Sequence, residues 1–184
     1  MRLIAGKYGG FKLETPQTKS IHPMGERIRG AIFNSLAGKI IGARVLDTFA
    51  GSGAIGLEAI SRGAQSLVFV EKDKRALIAI KANLAKLSLD DQDKVQIIAL
   101  PVEKFTKKFP AERFDLIFAD PPYHDLQLKA LRSLPDLLKL GGTLVLSTPK
   151  QAPEIKLPGS AAIKTATYAD AKITYYWRKI IKSN

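Results

Sequence analysis

From Ala43 onward, short apolar runs and amphipathic stretches take turns along the chain, and this alternation constrains the fold more than any other feature. The runs at 44–47, 66–71, 95–99, 114–119 and 143–147 read as strands, and the stretches at 54–62, 74–87, 102–108 and 126–138 as helices. Strands separated by helix-length crossovers pair in parallel, so an α/β fold follows: a mostly parallel sheet with helices on both faces. Two further runs, 161–168 and 172–179, read as a strand pair joined around Ala169-Asp170. Ahead of the alternation, residues 2–13 read as a small hairpin turning at Gly9-Gly10. Residues 23–36 read as a helix with Ile28, Ala31, Ile32, Ser35 and Leu36 on one face and Arg27 and Arg29 pointing elsewhere. No repeat or linker divides the 184 residues, so one domain is expected, with an extension (1–42) and a core (43–184).

The formal net charge of +12 comes from the two ends. Residues 1–44 carry 8 Lys/Arg against 2 acids and residues 150–184 carry 7 against 2, while the middle is balanced at 14 against 13. Basic flanks suit a polyanion such as nucleic acid, although charge runs also serve solubility. The absence of cysteine excludes disulfides and thiolate chemistry, and two histidines leave little for a metal site, so no metal is expected. No run approaches membrane-spanning length, and a cytoplasmic protein without membrane contact is expected. No helix has an excess apolar face, which points to a monomer.

Asp120-Pro121-Pro122-Tyr123 closes the apolar run 114–119. The motif has the makings of a rigid cradle for a flat base bearing an exocyclic amine. Such an amine is a poor nucleophile because its lone pair is conjugated into the ring, and acceptors on its N–H groups must draw it toward tetrahedral geometry. Asp120 supplies one acceptor and the Pro121 carbonyl a second. Pro122 restricts Pro121 and fixes its own φ, and Tyr123 offers a face for stacking. Taken alone, the same residues also describe a strand followed by a plain Pro-Pro turn.

Between the first strand and its helix lies Asp47-Thr48-Phe49-Ala50-Gly51-Ser52-Gly53-Ala54-Ile55-Gly56. Gly51 and Gly53 allow a ligand close to the backbone, and Glu71 ends the second strand where an acid commonly takes ribose hydroxyls. The glycine spacing also fits a nicotinamide-dependent oxidoreductase. Asp47 at the strand end favours an S-adenosylmethionine site instead, and an oxidoreductase has no use for the Asp-Pro-Pro-Tyr cradle. Asp47, Glu71 and Asp120 are all expected at the carboxyl edge of the sheet, where ligands of open α/β folds bind. Asp73 and Asp125 read as helix caps, and Glu103 as a solvated residue of a first helical turn.

With these residues the chain resembles the RsmD family, the 16S ribosomal RNA guanine-N2 methyltransferases, over nearly its whole length. The resemblance rests on Arg2-Leu3-Ile4-Ala5-Gly6-Lys7, Arg27-Ile28-Arg29-Gly30-Ala31-Ile32-Phe33-Asn34, Leu46-Asp47-Thr48-Phe49-Ala50-Gly51-Ser52-Gly53 and the Asp-Pro-Pro-Tyr cradle. It implies a Rossmann-like class I methyltransferase sheet of seven strands with the last antiparallel, S-adenosylmethionine as donor, and ribosomal RNA or the assembling small subunit as partner. It further implies that Asp47, Gly51 and Gly53 hold the methionine end of the cofactor and Glu71 its ribose, with Phe49 and Lys72 adjoining. The helix bearing Arg27 and Phe33 would close over the cofactor, and Asp120, Pro121, Pro122 and Tyr123 would hold the guanine.

Two departures stand out. His22-Pro23-Met24-Gly25 replaces a usual Arg-Pro-Thr, and Leu100-Pro101-Val102 stands where an acid or amide often meets adenine, leaving backbone groups of Leu100 or Val102 for that contact. Two other functions stay open on the residues: methylation of adenine N6 in DNA, and a catalytically silent RNA-binding protein with the same fold.

Overall fold

Seven strands form one sheet in the order β3-β2-β1-β4-β5-β7-β6. The computed structural model describes residues 1–16, 24–90 and 93–179. The strands are β1 (Arg44–Thr48), β2 (Ser66–Val70), β3 (Val95–Ile98), β4 (Phe114–Ala119), β5 (Leu138–Pro149), β6 (Ser160–Thr167) and β7 (Ala171–Arg178). β1 to β5 pair in parallel, and β7 lies antiparallel between β5 and β6. The helices are α1 (Glu26–Ser35), α2 (Ala37–Ile40), α3 (Ala54–Ser61), α4 (Lys74–Lys86), α5 (Val102–Lys108) and α6 (Leu128–Ser133). Among the described residues no helix is long and apolar enough to cross a membrane.

Alternation along each strand builds two cores. Val45, Leu67, Phe69, Leu116, Phe118 and Val145 face α1, α3 and α4. Leu46, Val68, Val70, Ile117 and Leu144 face α5 and α6 on the other side. The strand order reverses direction between β1 and β4, and the crevice that opens there at the carboxyl ends is where doubly wound sheets take ligands. Register delivers the three expected acids to this crevice. Thr48 pairs with Val70 and with Ala119, so Glu71 and Asp120 each leave the sheet level with Phe49.

Several local readings need correction. The N-terminal hairpin has a single bridge, Arg2 to Lys12; the Phe11 N–H donates to the Tyr8 carbonyl at 3.2 Å, so Gly9-Gly10 does form a turn, but at the end of a longer loop over residues 4–10. The cause is α3, which claims the arm's backbone. Glu58 Oε2 accepts the Ile4 N–H at 2.7 Å and Oε1 the Ala5 N–H at 3.2 Å, while Ser61 binds Lys7 and Tyr8. Gly6 is obligatory there, since a Cβ would lie 1.9 Å from the Ser61 carbonyl oxygen.

Arg29 does not point outward. It is 0% exposed, 3.9 Å from the equally buried Glu58, and donates to the Arg2 and Met24 carbonyls. A counter-ion on a neighbouring helix, the Arg2 carbonyl of the arm and the Met24 carbonyl just ahead of α1 outweigh the usual placement of arginine at the surface.

The helix expected at 126–138 stops at Ser133, because Pro135 turns Leu134–Leu137 into a 3-10 segment. β5 starts five residues earlier than read, at Leu138, and its register against β4 shifts between Phe114 and Leu116. A Cβ on Gly142 would meet the Lys139 and Asp115 carbonyl oxygens at 2.9 and 3.1 Å, so only glycine fits this irregularity.

Candidate active site

The turn after β1 is shaped by backbone that side chains rarely adopt. Phe49, Gly51 and Gly53 have φ of 59°, 56° and 79°. For Phe49 this is strained, and strain of this kind persists only where surrounding structure imposes it. Asp47, 1% exposed, accepts the Gly56 N–H at 2.8 Å through Oδ2 and so ties the strand end to α3. Glu71 holds the turn from the other side, since Oε2 accepts the Gly51 N–H at 2.9 Å and Oε1 accepts from Lys72 and Asp73. A Cβ on Gly51 would meet nothing within 4 Å, so the loop faces open space at that point.

Asp120 follows β4, partly exposed, with Pro121 buried behind it. Tyr123 is 39% exposed and its hydroxyl lies 3.1 Å from Ser147 Oγ at the end of β5. The Pro122 carbonyl accepts the Asp125 N–H at 3.0 Å, closing the turn. Burial lifts the Asp120 carboxyl from 3.8 to about 6, against the opposing effect of the Ser147 hydroxyl. Burial also lifts Asp47 well above its ordinary range; the Gly56 N–H opposes this, and the neighbouring Asp120 and Glu71 carboxylates add to it. That mutual repulsion is the electrostatic signature of three sequence-distant acids sharing one crevice.

Asp47, Phe49, Gly51, Gly53 and Glu71 thus meet as expected, and Asp120, Pro121, Pro122 and Tyr123 stand beside them. Lys72 is exposed next to Glu71. Val102, 3% exposed, opens α5, and the Leu100 N–H is already taken by the Ile98 carbonyl at 3.0 Å, so of the two backbones expected to meet adenine Leu100's donor is in use. Two expected residues are not brought to the loop. Phe33 has no exposed surface; it packs on Phe118 with ring centroids 5.3 Å apart and lies under the Arg62 guanidinium, because its position on α1 faces the sheet. Arg27 is exposed but lines a groove with Arg2, Leu3, Ile4, Gly10 and Glu26, bounded by the arm instead of the glycine loop. His22 and Pro23 lie outside the described residues. Asp73 caps α4 by accepting from Arg75 and Ala76, Asp125 accepts the Gln127 N–H before α6, and Glu103 pairs with Lys107 and Lys129.

Ser147 was not singled out from sequence. Its place at the end of an apolar strand, on the same edge as the acids, is the signal that would have found it.

The Haemophilus influenzae protein named ribosomal RNA small subunit methyltransferase D is 32% identical over 170 residues, covering 91% of this chain and 88% of its own. A solved Haemophilus influenzae structure matches at TM-score 0.81 and 30% identity, over 98% of this chain and 99% of that one. A structure complexed with SAH shares the fold at TM-score 0.66 and 18% identity, over 86% of this chain and 50% of that one. The architecture is that of the S-adenosylmethionine-dependent methyltransferases. Residues 1–177 match the family described as conserved hypothetical protein 95, and the chain belongs to that family, the RsmD methyltransferases.

Proposed function

We propose that this chain methylates the exocyclic N2 amine of a guanine in small-subunit ribosomal RNA, with S-adenosylmethionine as donor. The observation that carries the reading is the junction of two half-sites. Asp120 and Tyr123, linked through Ser147, stand on the edge where Asp47 repels both Asp120 and Glu71. Relatives named for small-subunit ribosomal RNA supply the substrate class.

The residues fit the cofactor. Asp47 and Asp120, whose charged forms burial penalises, gain from a cationic ligand, and the open space at Gly51 leaves room beside the loop. When bound, S-adenosylmethionine supplies an electrophilic methyl on positively charged sulfur. Asp47 and Glu71 hold the loop that receives it. Tyr123 presents its exposed face to the extruded base, and Ser147 fixes the ring through its hydroxyl. Asp120, ionised at neutral pH with its carboxyl at about 6, accepts from N2–H and stabilises positive charge developing on that nitrogen. Positioning carries most of the acceleration.

The test is incubation with labelled methyl donor and unmodified ribosomal RNA, followed by nucleoside analysis, with a DNA oligonucleotide in parallel. N2-methylguanosine is expected. Methylated adenine, or labelling of DNA alone, would replace the assignment, and no labelling of either would leave an RNA-binding protein. Asp120→Ala should retain cofactor binding and lose transfer.

A further inference from the structure

Asn83, wholly buried on α4, joins two segments that are far from it in sequence. Its Oδ1 accepts the Glu14 N–H at 2.7 Å, and its Nδ2 donates to the Glu14 carbonyl and to the Ser52 carbonyl, each at 3.0 Å. Ser52 stands between Gly51 and Gly53 in the cofactor loop. Glu14 ends the N-terminal arm. We propose that Asn83 is a positioning residue that sets cofactor affinity by pinning the glycine loop, and that through it the arm and the loop move as one. The inference rests on the reading that this loop holds S-adenosylmethionine.

The chemistry permits little else at this position. A loop with two glycines at positive φ has many conformations open to it, and each fixed peptide group removes some of them. Glu71 fixes the Gly51 N–H and the Ala50 carbonyl accepts the Gly53 N–H, but the intervening Ser52 carbonyl depends on Asn83. A carboxamide presents one acceptor and two donors, the set used here. Aspartate offers no donor to the two carbonyls, and a hydrocarbon offers nothing to any of the three groups.

The arm meets the loop at both of its ends. Leu13 N–H donates to the Met1 carbonyl, so Met1 lies beside the segment that Asn83 grips, and Met1 Sδ is 3.9 Å from Ser52 Oγ. Glu58 and Ser61 fasten the middle of the arm to α3. A ligand that orders the loop therefore orders the arm, with no contact between ligand and arm required.

Measurements on the 184-residue chain test this. Titration with S-adenosylmethionine should give Asn83→Ala about tenfold weaker binding, the equivalent of one net hydrogen bond. Its KM for the donor should rise in parallel, with kcat at saturating donor within about twofold of wild type. Glu14→Ala, which removes the exposed pair with Lys86 but keeps the backbone contacts to Asn83, should bind normally. Wild-type affinity in Asn83→Ala, or a loss confined to kcat, would overturn the proposal. Should that variant fail to fold, hydrogen exchange on the wild-type protein decides: S-adenosylmethionine should slow exchange of the Glu14 amide, and unchanged exchange overturns the coupling. A wild-type protein that binds no S-adenosylmethionine would overturn the functional reading and this inference together, whereas wild-type binding matched by Asn83→Ala overturns this inference alone.

Discussion

Replacing Asp120 by Asn should make the protein more stable at neutral pH while destroying its activity. The folded carboxyl sits at about 6 against an ordinary 3.8, so the native state binds this proton more tightly than the unfolded chain does. The sign follows directly. The Asp120 contribution is most favourable below about pH 4, is lost as pH rises through about 6, and is fully unfavourable above that. At about 1.4 kcal/mol per tenfold change in proton affinity, the rise amounts to about 3 kcal/mol at pH 7.5. Asparagine has the same shape and no charge to bury, so Asp120→Asn should gain up to about 3 kcal/mol at pH 7.5 and almost nothing at pH 4. Relief of Asp47, which the Asp120 charge also penalises, works in the same direction. Urea unfolding of both proteins across pH 4–8, followed by the fluorescence of the single tryptophan, Trp177, measures this difference. A gain that grows with pH, together with lost methyl transfer, is the expected pairing. A difference that does not change with pH, or a variant less stable at pH 7.5, would refute the account of a carboxylate held unfavourably in the crevice.

Three other perturbations have definite outcomes. Gly56→Ala would place a Cβ 2.6 Å from the Phe69 ring and 2.8 Å from Leu67, so it should cost about 2 kcal/mol by chemical denaturation despite alanine's better helix propensity. Arg29→Met should cost about 3 kcal/mol, near the low end for breaking a buried pair, because Glu58 keeps Arg62 and two arm amides; thermal unfolding would register it, and a neutral result would deny the Arg29–Glu58 pair its role. Tyr123→Phe keeps the stacking face but loses the Ser147 contact, so KM for RNA should rise only a few-fold while Tyr123→Ala loses far more; equal losses in the two variants would place the role in the hydroxyl.

The carboxyl-edge cluster was legible in the sequence because it depends on strand ends. Apolar runs give the strands; Glu71 and Asp120 directly follow β2 and β4, and Asp47 is the penultimate residue of β1. The Asp73 cap was readable because it acts within three residues of itself, whereas Asp125, expected to cap α6, instead accepts the Gln127 N–H ahead of that helix, whose N-cap is Gln127. Phe33, Arg29, Asn83 and Ser147 were misplaced or overlooked because each is governed by groups 24 to 85 residues away or by a face of α1 that periodicity alone assigns loosely.

The order of residues along the chain therefore determined the element types, the parallel sheet and which acids reach its carboxyl edge, since these follow from local periodicity and chain reversal. Packing decided the remainder: that an arginine goes inside because Glu58 and two carbonyls await it, that the arm gives the N–H groups of Ile4, Ala5, Lys7 and Tyr8 to α3, and that an amide on α4 binds that arm to the glycine loop. Those choices depend on which polar partners meet once water has been excluded, and such meetings exist only in the folded state.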